Sequence, residues 1–332
     1  MTSTGPVFLS SEAVMSVLSW TEVIEALAEA YRRPLSESAV PCRAVGAEGD
    51  AWLRILPALP PGNRYFGAKL MGMAMGGAHR GVEYVVVLYD RETSRIAAFV
   101  DAYQVTAWRT AATSAAALDR LASHQPVRLA VIGSGLEAAM HVRAFAAVRP
   151  IERLRVTSPR PERREAFAAA VRTDLGLPAE AVGCAEAAVD GATVVLAAAR
   201  SRDEQPLLFG RWLPSGVTVV SIGSTVPSQR EIDVSVVEAC DLIVCDVVSE
   251  VVEQTGDMLA AARAGVTFLD RTFSLHELLS GQLDNRLRRS RRRLFKSVGN
   301  GLQDVVVASL ALRKALTAGL ATPLPIAFET KR

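Results

Sequence analysis

The sequence predicts a two-part chain: a mixed α+β domain, then an α/β domain with a doubly wound parallel sheet. Three observations predict it. After Gln125-Pro126, short and fully apolar runs alternate with helix-like segments, the texture of a parallel sheet covered on both faces. The stretch VIGSGLEAA joins one such run to one such helix through Gly133 and Gly135. The first third of the chain instead holds helices followed by strands. At 332 residues the chain exceeds the ~250–300 at which single cores stop growing. The expected α+β domain covers 1–124 plus 303–332, and the doubly wound domain 125–302.

The elements follow in order. SSEAVMSVLSWTEVIEALAEAYRR has apolar residues at helical spacing, with Ser11 and Thr21 placed before acidic starts as helix-initiating signals. YFGAKLMGM, VEYVVVLYD and RIAAFVDA read as strands, the last two linked by a polar hairpin turn, DRETSR. QVTAWRTAATSAAALDRLAS is rich in alanine and bare of Gly or Pro, so it predicts a long helix. VRLAVIG and LRVTS are strand-like, and EAAMHVRAFAAV and PERREAFAAAVRTDL helical. GATVVLAAA, GVTVVSIG and DLIVCDV add short apolar strands, and GNGLQDVVVASLALRKALTAGL a last amphipathic helix.

Composition narrows the function. Half the residues are hydrophobic, enough for a large core and against global disorder. With 37 basic and 35 acidic residues, the net charge of +2 provides no field to attract nucleic acid or a membrane. Cys42, Cys184, Cys240 and Cys245 lack zinc-site spacing and read as reduced thiols. His79, His124, His141 and His276 form no H-E-x-x-H pair, so no metal is expected. The opening residues lack a basic leader pattern, and no apolar run approaches ~18 residues, so a cytoplasmic protein is expected. RLRRSRRRLFK, at 286–296, has no interleaved aromatic platform and reads as a solvated loop or helix. The alternating methionines of LMGMAMGG read as one face of a strand.

Gly133, Ser134, Gly135, Leu136, Glu137 and Ala138 make a G-x-G-x-x-A turn between a strand and a helix. The first glycine suits the tight turn and the second a close backbone approach to a pyrophosphate, which the helix N-terminus then attracts. An NAD site usually places a carboxylate about 20 residues on, to hold the ribose hydroxyls. Here VTSPRPERR presents Ser158 and Arg160, with no carboxylate before Glu162. A hydroxyl followed by arginines suits a 2′-phosphate, so NADP(H) is favoured over NAD(H).

The chain resembles the ornithine cyclodeaminase/mu-crystallin family from about residue 7 to 318. The resemblance is carried by PCR at 41–43, LPA at 56–58, GAKL at 67–70 and VDAYQVTAWRTAATSA at 100–115. Beyond the glycine turn, IGSTVPSQREID at 222–233, QTGDMLAA at 254–261 and FKSVGNGLQDVVVASL at 295–310 continue it. It implies a Rossmann-type nucleotide domain preceded by a domain for substrate binding and dimerisation, to which the last helix returns. It also implies a small amino or imino acid substrate and a homodimer.

Three cations in family positions, Arg43, Lys69 and Arg109, would hold the substrate carboxylate, guanidinium groups giving bidentate contacts. Lys69 would alternatively pass a proton to the substrate nitrogen. Arg109 and Thr110 would alternatively touch cofactor phosphates. Gly223, Ser224 and Thr225 fall at a cofactor-side turn, and Lys296 and Ser297 near the nicotinamide or its ribose. Asp304 reads as a cap of the final helix. One departure is informative: members that cyclise ornithine carry an aspartate where this chain has Thr225. Threonine takes up no proton near neutral pH, which disfavours that lyase chemistry. Hydride transfer at a C–N bond remains, as in ketimine reductases and amino-acid dehydrogenases. A non-catalytic nucleotide binder is the third reading.

Overall fold

The structure, a computed structural model, describes residues 5–74, 81–123, 125–199 and 204–329. His79, His124 and Met75 lie outside the described residues. The chain divides into two compact units, Met1–Thr110 with Asn300–Arg332, and Ala111–Gly299.

The first unit opens with β1 (Val7–Leu9), α1 (Ser11–Val17) and α2 (Trp20–Arg32). Ser10, not Ser11, caps α1 by accepting the Ala13 N–H, and α2 begins after Ser19 rather than at Thr21. Both caps are extended residues, the backbone that an N-cap requires, whereas Ser11 and Thr21 are already helical. Next come β2 (Ala44–Glu48), β3 (Ala51–Ala58), β4 (Tyr65–Ala74), β5 (Val82–Asp90), β6 (Ile96–Asp101) and α3 (Ala102–Leu121). Asp90 closes the β5–β6 hairpin by accepting the Glu92 and Thr93 N–H groups.

The second unit runs β7 (Val127–Ile132), α4 (Leu136–Val148), β8 (Ile151–Thr157), α5 (Pro161–Leu175), β9 (Ala179–Ala181) and α6 (Ala185–Val189). It continues with β10 (Val194–Ala197), β11 (Thr218–Ser221), α7 (Val234–Ala239), β12 (Leu242–Cys245), α8 (Val248–Gln254) and α9 (Gly256–Arg263). It ends with β13 (Thr272–Ser274), α10 (Leu275–Leu279), α11 (Asp284–Arg289) and β14 (Arg293–Lys296). The arginine run is thus only half a solvated helix. Its tail is strand β14, with Leu294, Phe295 and Lys296 buried. Helix α12 (Gly301–Ala318) and β15 (Thr322–Pro323) then complete the first unit.

The first unit's sheet has the order β15-β1-β6-β5-β4-β3-β2. All neighbours are antiparallel except β1 and β6. Helix α12 packs on β3, β4 and β5 and against α2. Close approach needs Gly301: a Cβ there would lie 2.3 Å from the Pro57 carbonyl oxygen and 2.6 Å from that of Leu56.

The second unit's sheet has the order β13-β12-β14-β11-β10-β7-β8-β9, parallel throughout. Strands β7, β10, β11 and β12 are almost wholly buried, which is why they read as continuous apolar runs. From β7 the chain winds outward through β8 and β9, then crosses to β10 on the other side. The switch point is therefore the β7/β10 boundary, where open α/β sheets bind ligands at their carboxyl ends. The sequence reading put the unit boundaries at 124/125 and 302/303. The division instead falls inside α3, because that helix continues unbroken past Thr110, and again at Asn300, where α12 is capped.

Replacing Gly301 by Ala should destabilise the protein by about 2 kcal/mol, the usual scale of forced overpacking. Urea denaturation of the variant beside the parent checks this. An unchanged midpoint would show that α12 tolerates a shift from β3.

Candidate functional site

Two groups of polar residues stand out, one in each unit. In the first, Lys69 lies on β4 opposite Leu56 and Val86. The period of two sets Met71 and Met73 on the same face as Lys69. The Lys69 ammonium is wholly buried and donates to Asp304 Oδ1 at 2.8 Å and to Thr106 Oγ1 at 3.5 Å. Arg109 Nε lies 3.1 Å from that same Asp304 oxygen, and its Nη1 donates to Gln303 Oε1 at 2.9 Å. Gln303 Nε2 and Asn300 Nδ2 both donate to the Tyr31 hydroxyl, at 2.9 and 3.0 Å.

Asn300 caps α12 by accepting the Gln303 N–H. Asp304 therefore does not cap the helix. It lies one turn inside α12, fully buried, as the shared anion of two cations. Its other oxygen, Oδ2, is buried and receives no hydrogen bond among the described residues. Burial pushes the Lys69 ammonium down to about 8, opposed by the Asp304 charge and reinforced by the positive charges of Arg109 and Arg43. Arg43, half-buried just before β2, thus acts electrostatically on Lys69. The Thr110 hydroxyl donates back to the Thr106 carbonyl, within α3.

In the second unit, the residues at the carboxyl ends of β7 and β8 fit a dinucleotide. Gly133 has φ +117°, and a Cβ there would lie 2.6 Å from the Ala198 carbonyl oxygen. Only glycine makes that turn. Gly135 is the N-cap of α4, with no side-chain cap, and a Cβ on it would meet nothing within 4 Å. A helix start leaves its first N–H groups without intrahelical partners, and the N-terminus of α4, with open space beside Gly135, suits a pyrophosphate. Ala138 is fully buried, a small residue where this fold class needs close helix–strand packing. Ser134 Oγ donates to Ser158 Oγ at 2.9 Å, which sets the end of β8 beside the glycine turn. Arg160, the N-cap of α5, is exposed, and Arg164 donates to the Ser158 carbonyl.

The other predicted positions are held from within. Ser224 Oγ donates to the Gln229 carbonyl, and the Thr225 N–H and hydroxyl both point to Gln229 Oε1, at 3.2 and 3.4 Å. Lys296 is fully buried, 2.9 Å from Asp257 Oδ2, and donates to Ser221 Oγ at 2.9 Å. Ser297 Oγ donates to Asp246 Oδ2 at 2.7 Å. Sequence reasoning missed Tyr31, Gln303 and Glu231 entirely. Tyr31 sits among helical apolar positions, and the REID segment carries Glu231 without any local mark of burial. No group of three or more His, Cys, Asp or Glu suited to a metal occurs among the described residues. No described helix is long and apolar enough to cross a membrane.

The profile of the ornithine cyclodeaminase/mu-crystallin family matches residues 5–318. Delta(1)-pyrroline-2-carboxylate reductase of Paracoccus denitrificans is 29% identical over 323 residues, covering 94% of this chain and 98% of that one. Ketimine reductase mu-crystallin of Mus musculus is 27% identical over 316 residues, covering 92% and 96%. The structure of Thermococcus litoralis Delta(1)-pyrroline-2-carboxylate reductase, in complex with NADH and L-proline, superposes with a TM-score of 0.87. That match is 25% identical and covers 96% of this chain and 100% of that one. With a Rossmann-type unit, the glycine turn at its switch point and a profile that spans nearly the whole chain, this protein belongs to the ornithine cyclodeaminase/mu-crystallin family.

Proposed function

We propose that the protein is a nicotinamide-dependent reductase of a small imino acid, acting on its C–N bond and preferring NADPH. The observation that carries this reading is the buried group of Lys69, Arg109 and Asp304, two cations on one carboxylate oxygen. The named activities of the two reductase relatives support it. The bound nicotinamide supplies the hydride.

The chain's own residues do the rest. Arg109, Lys69 and Arg43 present positive charge to the substrate carboxylate and orient it. Lys69, charged below about 8 and neutral above it, holds a transferable proton at Nζ for the imine nitrogen. Asp304 Oδ2 takes no donor among the described residues and suits an N–H of the product amine. Thr225 offers no carboxylate, so the ammonia-releasing cyclisation lacks its acid–base group. Homodimerisation and a cytoplasmic location are part of the same proposal.

Loss of reduced-nicotinamide absorbance with a panel of cyclic imino acids, run beside ammonia release from ornithine, tests the assignment. Imine-dependent NADPH loss is expected. Ammonia and proline without net cofactor change would make the protein a lyase.

Lys69→Met should lower kcat/KM by about a thousandfold while NADPH affinity stays within a few-fold by fluorescence titration. Unchanged turnover removes the lysine from the chemistry.

The pH profile carries a sign. Burial lowers the Lys69 pKa, so the active ammonium is lost as pH rises through about 8, and kcat/KM should fall about tenfold per pH unit beyond that. In Asp304→Asn the charge that favours the ammonium is gone, and the alkaline limb should move to lower pH. A limb that stays in place assigns it to another group.

Cofactor choice is read from Arg160. Arg160→Ala should weaken NADPH by about five- to tenfold, the scale of a charge-assisted bond, and leave NADH within about twofold. Equal losses for both cofactors would refute a 2′-phosphate contact.

A further inference from the structure

We infer that Glu231 is a positioning residue for the bound cofactor, a carboxylate clamp behind the turns that follow β10 and β11. The inference rests on the nicotinamide-dependent reading proposed above. It adds a residue that the sequence pattern did not single out and that lies behind the cradle, on its buried side.

Glu231 is fully buried, yet its two oxygens take four donors. Oε1 accepts the Ala199 N–H at 3.0 Å. Oε2 accepts the Ser221 hydroxyl at 2.7 Å and the N–H groups of Ile222 and Gly223 at 3.1 and 2.9 Å. Ala199 belongs to the turn after β10; Ser221 ends β11, and Ile222 and Gly223 begin the turn after it. These turns lie at the carboxyl ends of strands beside the switch point, where this fold class binds its ligand. The β10 turn also touches the glycine turn, because Gly133 faces the Ala198 carbonyl. One carboxylate therefore ties together the backbone of the turns after β10 and β11.

Gly223 supplies independent geometry. A Cβ at that position would lie 2.3 Å from Glu231 Oε1 and 2.8 Å from the Ala199 carbonyl oxygen. The turn has closed onto the carboxylate as far as glycine permits. The clamp is itself anchored: Asp257 Oδ1 accepts the Glu231 and Ile232 N–H groups at 2.8 and 3.2 Å. Lys296 pairs with Asp257 and donates to Ser221, and Arg230 Nε lies 3.9 Å from Asp257 Oδ1. These are the charged groups that face Glu231 from α9, from β14 and from its own segment.

Burial raises the Glu231 carboxyl to about 7, with Lys296 opposing and Asp257 reinforcing the rise. A proton on Oε2, which already takes three donors, breaks at least one of those bonds, and a proton on either oxygen removes the charge that strengthens all four. Cofactor affinity should therefore fall as pH drops through about 7, and the glutamine variant should lose that dependence.

The test is a fluorescence titration of NADH and NADPH with the intact protein, Glu231→Gln and Gly223→Ala, from about pH 6 to 9. Thermal unfolding without cofactor is followed in parallel. NADH serves for the pH profile because it lacks the titrating 2′-phosphate. Expected are an acid-side loss of NADH affinity in the parent, and about tenfold weaker, pH-independent binding in Glu231→Gln, as one charge-assisted bond is lost. Gly223→Ala should weaken both cofactors, because its Cβ pushes the Glu231 carboxylate off its donors. Parent affinity that is flat across this range, or Glu231→Gln with the parent's affinity and profile, overturns the clamp. The first of these needs no variant to fold. A parent that binds neither cofactor overturns the nicotinamide reading as well, which distinguishes the two failures.

Discussion

Everything in the first unit's polar core depends on one carboxylate, that of Asp304. It sits fully buried on α12 and neutralises Lys69 of β4 and Arg109 of α3. Taking one anion and two cations out of water costs several kcal/mol per ion, and replacing such a group by apolar side chains often stabilises a fold. A buried cluster with surplus positive charge is therefore poor stability design. In the function proposed above, the substrate carboxylate completes it. The same burial that is costly in stability lowers the Lys69 pKa into the range where it can exchange a proton.

The geometry that delivers Asp304 is steric. Gly301 lets α12 start against the Leu56 and Pro57 carbonyls, and Asn300 fixes the helix start by capping it. Tyr31 then receives Asn300 and Gln303, so the residue that caps the helix and the one that holds Arg109 meet on one hydroxyl. The second unit repeats this economy. Gly133 permits the turn, Gly223 permits the clamp, and buried anions at 231, 246 and 257 hold the backbone of the carboxyl-end turns. In both units rigid backbone is held by buried charge, and glycine marks where the approach is closest.

Much of the fold was legible because parallel strands buried on both faces leave no choice but continuous apolar runs. VRLAVIG, GVTVVSIG and DLIVCDV all became such strands. Strands β2 and β3 were not legible: β2 is exposed along its length, so no apolar alternation marks it. Strand β14 was hidden by its arginine neighbours, since it starts at Arg293, close behind a basic helix that ends at Arg289. The glycine turn was visible from type and spacing, and the basic trio from the family resemblance. The function of Asp304 was not, because an acidic residue in a first helical turn reads as a dipole partner unless its buried neighbours are known.

The sequence by itself determined which residue types are available: a strand–glycine–helix turn and cations in an apolar setting. These are local facts, fixed by composition and spacing. Only the tertiary structure decided the pairings, Lys69 with Asp304 across 235 positions and Ser221 with Lys296 across 75. It also decided that Glu231 faces four donors rather than water. The physical reason is that burial and charge partnership are set by packing between elements distant in the chain. No short stretch of sequence contains both members of such a pair.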